Sequence, residues 1–209
     1  MSESSRITLT LAVTEEQKTQ ANEIVIAYHS YVPSARTVGR VLKYLAYYGD
    51  ELVGTFWIGS GFKPTPKSIL NHFKVGQKQF DLMFNKVADN KRFCMCKNIP
   101  NAGSQIIKLV RKRARFDWKN KYGDDLVAIV TTIGNGKKGS VYLADNWKVI
   151  GHTAGLPSER KSVSMKWDDE STIKTRFVKP DGLNKKTILI TENLPYCVPS
   201  SNQKELFNR

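Results

Sequence analysis

One tyrosine stands just after the most apolar run of the chain, where its phenol could donate a proton to a leaving group. The run is LVAIVTTI, residues 126–133, and the tyrosine is Tyr142 in the segment KGSVYLADNWKVIGHTAG. A strand with so few polar residues is expected in the middle of a sheet, with both faces covered. The chain after it emerges at the carboxyl end, where open α/β sheets bind ligands. Tyr142 is therefore a candidate general acid, and the alternative is a packing tyrosine with its hydroxyl at the surface.

The residues around Tyr142 are predicted to form a short helix, SVYLADNW, beginning after glycines at positions 134, 136 and 139. Val141, Ala144 and Trp147 lie three residues apart and are expected to face the core. Tyr142 lies off that stripe, so its side chain is predicted to face the ligand crevice.

A second candidate site is the start of a long basic helix. The turn before it contains Asn101, Ala102, Gly103 and Ser104. The first backbone N–H groups of a helix have no partner within the helix, and together with the helix dipole they favour a phosphate or pyrophosphate. Gly103 would let a ligand approach the backbone closely. An ordinary capped helix start would have the same residues.

The charge of the chain favours a polyanionic partner. Lys and Arg number 33 against 19 Asp and Glu, so the formal net charge is +14. Such a surface attracts nucleic acid through phosphate contacts and counterion release. The long helix is predicted to carry one basic face, to which a nearby loop adds two lysines, and the alternative is a solvated surface. These candidate DNA-binding residues are Lys108, Arg111, Lys112, Arg115, Lys119, Lys137 and Lys138.

Histidines and cysteines do not indicate a metal site. His29, in AYHSY, lies where the first helix runs into a loop and is the histidine best placed for chemistry. There is no H-x-x-x-H or C-x-x-C pair, so a metal site is not supported. Cys94, Cys96 and Cys197 are odd in number and are predicted to be free thiols.

The elements that must position these residues can be read from periodicity. ITLTLAV alternates like a strand, and Thr14 can cap the helix that follows. VLKYLAYY and ELVGTFWIG are predicted to form a tight hairpin at Gly49-Asp50. SILNHFKV is expected to be a short helix, and KQFDLMFNKVADNKRFCMCKNI to hold a strand near either end. The long helix is predicted to end at Gly123 and to bury one stripe of residues: Ile107, Val110, Ala114 and Trp118.

This order of strands and helices predicts an α/β or α+β fold, with a mixed central sheet flanked by helices. We expect one domain over residues 1–190, with a C-terminal hairpin from about residue 156 that includes RFVKP and KKTILIT. Residues 191–209 read as a polar tail. The N-terminus lacks the apolar region of a signal peptide and no run reaches the ~20 apolar residues of a membrane span, so a cytoplasmic protein is expected.

The segments and their order resemble the GNAT superfamily of acyl-coenzyme A N-acyltransferases. More narrowly, they resemble the Mom-type DNA-adenine modification proteins of bacteriophages, a pattern that the small DruA-like protein of the Druantia anti-phage system shares. The pieces run from AYHSY through LKYLAYYGDELVGTFWIG, FNKVADNKRFCM and NAGSQIIKLVRKRARFDW to LVAIVTTIGNGKKGSVYLADNWKVIGHTAG. The best-matching piece is G-x-x-Y-x-A-x-N-W-x-x-x-G-x-T, and the resemblance covers roughly residues 28–155.

The resemblance implies a cofactor and roles for several residues, and the sequence departs from the family at one position. Acetyl-CoA is expected to lie between two splayed central strands, with its pyrophosphate at the helix start and the tyrosine at position 142 protonating the departing thiolate. Mom-type proteins act on the exocyclic amine of adenine, which implies base flipping or single-stranded access. The acidic residue that often follows the strand is replaced here by Ile133-Gly134-Asn135. His29 and Asn135 are then predicted to position or deprotonate the amine.

The sequence thus predicts a phage DNA base-modification enzyme that uses acetyl-CoA to modify adenine and protects DNA from host restriction. Two alternatives stay open: a non-catalytic DNA-binding subunit of an anti-phage system, and an acyltransferase that acts on a small molecule or a protein. An open crevice between splayed strands would favour an acyltransferase, and a filled one would favour the binding subunit.

Overall fold

A computed structural model describes residues 6–29, 34–134, 137–153 and 185–197 of the chain. The strands in these residues are Ile7–Leu11 (β1), Val41–Tyr48 (β2), Glu51–Ser60 (β3), Val87–Met95 (β4), Ala128–Ile133 (β5), Lys148–His152 (β6) and Thr187–Thr191 (β7). The α-helices are Glu15–Tyr28 (α1), Lys67–Phe73 (α2), Gln77–Met83 (α3), Ala102–Tyr122 (α4) and Ser140–Leu143 (α5).

The strands form one mixed sheet in the order β1-β2-β3-β4-β5-β7-β6. The pairings are antiparallel except that of β4 with β5, which is parallel. The long helix α4 provides the crossover that a parallel pair requires. The prediction of a mixed α/β sheet flanked by helices is therefore confirmed.

Helix α4 covers one face of the sheet and packs on the largest core cluster. The predicted stripe of Ile107, Val110, Ala114 and Trp118 is buried. Gly123, with φ of 79°, ends the helix as predicted, because glycine adopts this left-handed conformation without steric cost.

Helices α1, α2 and α3 cover the opposite face of the sheet. Consecutive strand residues point to opposite faces. Ile129 packs in the cluster that includes α4, whereas Val130 packs with Ile69 of α2 and Phe80 of α3. Helix α1 begins at the predicted cap, since the Thr14 side chain accepts a hydrogen bond from the Gln17 N–H.

The N-terminal hairpin follows its prediction. Strands β2 and β3 are joined by a tight turn at Gly49 and Asp50, and Tyr48 pairs directly with Glu51. Gly49 has a φ of 59°, a value that glycine tolerates in a two-residue turn.

Two other segments differ from the sequence expectations. The first end of KQFDLMFNKVADNKRFCMCKNI is helix α3 rather than a strand, and the Gln79 side chain accepts a hydrogen bond from the Gly76 N–H at its start. The second end is strand β4. Strand β7 pairs with β5 and β6. RFVKP, its predicted hairpin partner, lies outside the described residues. Beyond β7, Leu194 is buried in the α4 core cluster.

Within the described ranges, a search for a helix with enough length and apolar character to cross a membrane finds none.

Candidate active site

Strands β4 and β5 separate partway along their length and leave a crevice. They pair at three positions, from Val87 with Ala128 to Asp89 with Val130. Beyond that point β5 continues to pair with β7 on its other side. The space between β4 and β5 has a volume of about 560 Å³ and is lined by residues of both strands and by residues 137–142. The crevice is open, as the acyltransferase interpretation expects.

Tyr142 lies in α5 and lines this crevice, as the sequence analysis expected. Its ring is buried and packs edge-on against Phe93 and Trp147, with centroids 6.3 and 5.1 Å away. The amide Nδ2 of Asn90 donates a hydrogen bond to the Tyr142 hydroxyl over 2.6 Å. The same amide is 3.1 Å from Thr131 Oγ1 on β5, so it bridges the two strands where they separate.

Two glycine-dependent contacts position α5. Gly139 precedes the helix with a φ of 70°, and a Cβ there would lie 2.3 Å from Ile133 Cδ1. A Cβ on Gly103 would lie 3.2 Å from Val141 Cγ1, so the start of α4 packs closely on α5. Ala144 is exposed, contrary to the predicted core stripe. The α-helix ends at Leu143, so its periodicity does not extend to Ala144.

Arg111 does not lie on the exposed basic face that was predicted for it. Its side chain is buried and donates to both carboxylate oxygens of Asp145, at 2.8 and 3.0 Å. It also donates to the Asn193 carbonyl. Asp145 in turn accepts from the Trp147 indole over 3.2 Å, so Arg111 anchors the segment that follows Tyr142. The error has a tertiary cause, because Asp145 comes from a distant part of the sequence.

The remaining predicted basic residues differ in their surroundings. Lys108, Lys112 and Lys119 are exposed on α4. Arg115 is part-buried and forms a two-bond ion pair with Asp125. Lys137 and Lys138 line the crevice.

The start of α4 has the features of an anion site. Asn101 precedes the helix with a φ of 60° and makes no side-chain capping bond, and Ser104 Oγ donates to its carbonyl. The Ala102 N–H donates to the Ile99 carbonyl. Among the described residues, no hydrogen-bond acceptor is recorded for the backbone N–H groups of Gly103 and Ser104. Val141, which contacts Gly103, also lines the crevice.

The crevice wall is cationic, and its histidine is neutral. Lys91 and Arg92 of β4 line it together with Lys137 and Lys138. His29, at the end of α1, also lines it. Burial, together with the charges of Arg92 and Lys137, lowers the pKa of His29 to about 4. The imidazole therefore carries no charge at neutral pH. Asn135, the other predicted positioning residue, lies outside the described residues.

Asp89 is the acidic residue that the sequence analysis missed. It is buried on β4 at the last position that pairs with β5, and it faces a cavity of about 30 Å³ next to the crevice. Its ion-pair partner is Lys91, with Nζ 3.5 Å from Oδ2. Burial raises its pKa to about 6, against the opposing effects of Lys91, Lys186 and Arg92. In the sequence VADNKRFCM this Asp reads as an ordinary polar residue of a strand. Only its place, where β4 and β5 separate, identifies it as a candidate site residue.

The part of the chain that the structure describes contains no group of three His, Cys, Asp or Glu residues that could hold a metal ion. Cys94, Cys96 and Cys197 are free thiols.

Comparisons with known proteins identify the fold of the chain. No protein-family model and no curated protein sequence matches the chain. Among solved structures, it is similar to an N-acetyltransferase from Staphylococcus aureus Mu50, with 10% identity, 90% of this chain and 99% of that chain covered, and a TM-score of 0.51. It is also similar to the aminoglycoside acetyltransferase AAC(6')-Ib in complex with coenzyme A, with 11% identity, 90% and 95% covered, and a TM-score of 0.50. The fold is that of the GNAT acetyltransferases.

Proposed function

We propose that this protein is an N-acyltransferase that holds an acyl-CoA donor, with acetyl-CoA as the first choice, in the crevice between β4 and β5. One observation carries the proposal: two neighbouring strands pair at three positions and then separate around a cleft with cationic walls. Separated strands present backbone N–H and C=O groups to a ligand, which can pair with the amides of a pantetheine arm. When bound, the coenzyme supplies an activated acyl thioester.

The residues around the cleft fit such a donor. The N–H groups of Gly103 and Ser104 would hold the pyrophosphate, and the charges of Lys137 and Lys138 favour an anionic ligand. Asn90 Oδ1 is buried without a hydrogen-bond partner among the described residues. It can accept a hydrogen bond from a ligand amide, which would satisfy a buried acceptor that otherwise costs about 1–3 kcal/mol. The neighbour AAC(6')-Ib, which holds coenzyme A, supports the same assignment.

Tyr142 is proposed to be the general acid that protonates the leaving thiolate. Phe93 and Trp147 fix the ring, and the Asn90 amide donates to the phenol oxygen. In that bond the phenol oxygen is the acceptor, so the bond itself does not use the phenolic proton. A general acid placed in this way contributes ~10²–10⁴-fold to rate.

The acceptor is proposed to be the exocyclic amine of adenine in DNA, as in the Mom-type proteins that the sequence resembles, with protection from host restriction as the biological effect. The net charge of +14 and the exposed lysines of α4 support a polyanionic partner. The base would have to leave its stack to reach the crevice. The open crevice favours this enzyme over a non-catalytic binding subunit.

Two measurements test the proposal in separate parts. Calorimetry with acetyl-CoA should show binding, and the absence of both heat and a thermal shift at saturating donor would remove the acyltransferase. Mass spectrometry of nucleosides should then show modified deoxyadenosine in cells that express the wild type, and much less of it in cells that express Tyr142→Phe. If the donor binds but only a small amine or a peptide is acylated in parallel assays, the adenine acceptor is wrong and the acyltransferase stands.

A further inference from the structure

The segment that follows β7 lies against α4 and holds one aromatic ring at the surface. Arg111 of α4 donates a hydrogen bond to the Asn193 carbonyl, and Leu194 is buried in the α4 core cluster. Two residues farther on, the ring of Tyr196 packs edge-on against Phe116 of α4, with centroids 5.6 Å apart. Tyr196 is nevertheless 47% exposed. The segment therefore fixes the ring on α4, while part of the ring stays open to solvent.

Two cations flank this exposed ring. The Arg115 guanidinium carbon lies 5.9 Å from the ring centroid of Tyr196, and the Lys119 ammonium lies 5.8 Å from it. Asp125 pairs with Arg115 at the same place. The pKa of Asp125 is lowered by its hydrogen bonds to Arg115 and by the charges of Arg115, Lys119 and Lys86. These three cations outnumber that carboxylate, so the charged groups beside the ring attract an anionic partner.

The same side of α4 carries a row of cations. Lys108, Lys112, Arg115 and Lys119 follow one another at spacings of four, three and four residues, which places them on one side of the helix. The three lysines are exposed. At 1.5 Å per residue the row is roughly 16 Å long. A row of this length can contact several phosphates of one nucleic-acid strand.

We propose that one base of an unpaired DNA strand stacks on Tyr196, while the phosphates of that strand contact Lys112 and Lys119. This inference rests on the DNA acceptor of the proposed function and assigns to it a binding surface outside the crevice. Aromatic rings beside cations hold single strands with little sequence preference, since every base has a face that can stack. A duplex offers its phosphates to the lysines, but its base faces are covered by neighbouring bases. Only an unpaired strand can therefore use both the ring and the lysines.

The distance from this ring to the crevice fits a strand that delivers a base to the crevice. Gly103, at the start of α4, contacts Val141, which lines the crevice. Phe116, on which Tyr196 packs, lies roughly 20 Å farther along the helix. A strand with about 3.4 Å between nucleotides covers that distance with roughly six nucleotides. The ring can thus hold the strand to one side of an adenine that has left its stack.

The test measures affinity for fluorescently labelled oligodeoxyadenylate, either single-stranded or paired with oligodeoxythymidylate. Tyr196→Leu should bind the single strand about 5- to 150-fold more weakly than the wild type does, and its affinity for the duplex should change little. Tyr196→Phe should bind both as the wild type does, because stacking uses the ring and not the hydroxyl. The matched control is Tyr28→Leu, which removes an exposed ring from α1 on the opposite face of the sheet.

Two further readouts separate stacking from phosphate contact. Tyr196→Leu should leave the slope of log affinity against log salt unchanged, whereas Lys119→Gln should lower the slope for the single strand by about 0.7. A single strand that carries one 5-iododeoxyuridine should cross-link to Tyr196 of the wild type under ultraviolet light. Mass spectrometry of the digested protein identifies the cross-linked residue, and this readout needs no variant.

Single-strand affinity that is unchanged in folded Tyr196→Leu, or a wild type that does not cross-link at Tyr196, overturns the proposal. A wild type that binds the duplex more tightly than the single strand overturns the unpaired strand as the partner. Acetyl-CoA should bind Tyr196→Leu as it binds the wild type, because Tyr196 is not among the described residues that line the crevice. Failure of the wild type to bind acetyl-CoA is a different result, since it removes the acyltransferase and not the strand contact.

Discussion

Two buried acids on opposite sides of the sheet have very different partners. Asp117 of α4 is fully buried, and the Arg113 guanidinium donates to both of its carboxylate oxygens, at 2.6 and 3.3 Å. Arg113 also donates to the Leu9 carbonyl, which ties α4 to β1. Asp89 of β4 is almost as deeply buried, yet its ion-pair partner is a single lysine at 3.5 Å.

The difference in partners distinguishes an ion pair that stabilises the fold from a buried acid whose ionised form does not. The Arg113–Asp117 pair is bidentate, the strongest geometry of a charge-assisted hydrogen bond. Asp89 has a pKa raised to about 6, so its ionised form lowers the free energy of unfolding at neutral pH. Strongly perturbed acids in clefts occur most often at functional sites. We infer that the α4 face stabilises the fold, while the strand separation holds the groups that react.

The largest expected effect comes from Tyr142→Phe in the crevice. Removing the phenolic proton should slow acyl transfer by ~10²–10⁴-fold. Loss of the bond from Asn90 should cost about 1 kcal/mol of stability. The matched control is Tyr122→Phe, whose hydroxyl bonds to the backbone of Val41. Stopped-flow thiol release and urea unfolding should show a slow, folded Tyr142 variant and a fast control with lower stability. Equal rates for both variants would make Tyr142 a packing residue.

The next largest effect should come from Asp117→Asn, which breaks the structural pair. A buried guanidinium left without its carboxylate should lower the free energy of unfolding by about 3–5 kcal/mol. Urea unfolding measures this loss. Acyl transfer per folded molecule should stay unchanged, because neither Arg113 nor Asp117 lines the crevice. An Asp117→Asn variant as stable as the wild type would mean that the Arg113–Asp117 pair does not stabilise the fold.

Asp89→Asn should act in the opposite direction on stability. The folded-state pKa of Asp89, about 6, exceeds its ordinary value of 3.8, so protonation favours the folded state. The wild type is thus expected to lose stability as pH rises from about 4 through 6, by about 3 kcal/mol at most. The variant should lack that decrease and be as stable or more stable at pH 7.5. Thermal unfolding from pH 4 to 8 measures both curves, and parallel curves would contradict the raised pKa.

The smallest effect concerns the proposed DNA contact of α4, whose predicted basic residues are exposed only at Lys108, Lys112 and Lys119. Lys112→Gln with Lys119→Gln should lower the slope of log affinity against log salt for duplex DNA by about 0.9 for each phosphate that is no longer neutralised. Lys18→Gln with Lys97→Gln removes the same charge from lysines paired with Glu15 and Glu51. Binding titrations at several salt concentrations compare the two. Equal slopes would mean that α4 does not contact the phosphates.

The sequence predicted those parts of the fold that depend on local periodicity. Trp118 and Val110 followed from the helical stripe, and Gly49 followed from the turn chemistry of the hairpin. Helix α3 was missed because KQFDLMF is too short for its period to be decisive. Arg111 was placed on the wrong face, since a guanidinium can be buried when a distant carboxylate satisfies it.

The sequence also predicted the part of the site that depends on local pattern. Tyr142 could be placed because an apolar strand and a glycine-rich turn precede it. Asp89 could not be found from the sequence, because its importance depends on where two strands stop pairing. The partnership of Asn90 with Tyr142 joins residues 52 positions apart, so no local pattern indicates it.

The most direct test of the account is a titration of isotope-labelled protein with acetyl-CoA, followed by amide chemical shifts. We predict that the largest changes fall in residues 90–93 and 131–134, which line the crevice, and at Gly103 and Ser104. The amides around Arg113 and Asp117 should change little, because that region is structural. No shifts at saturating acetyl-CoA, or shifts confined to residues outside the crevice and the start of α4, would contradict the claim that the separated strands hold an acyl donor.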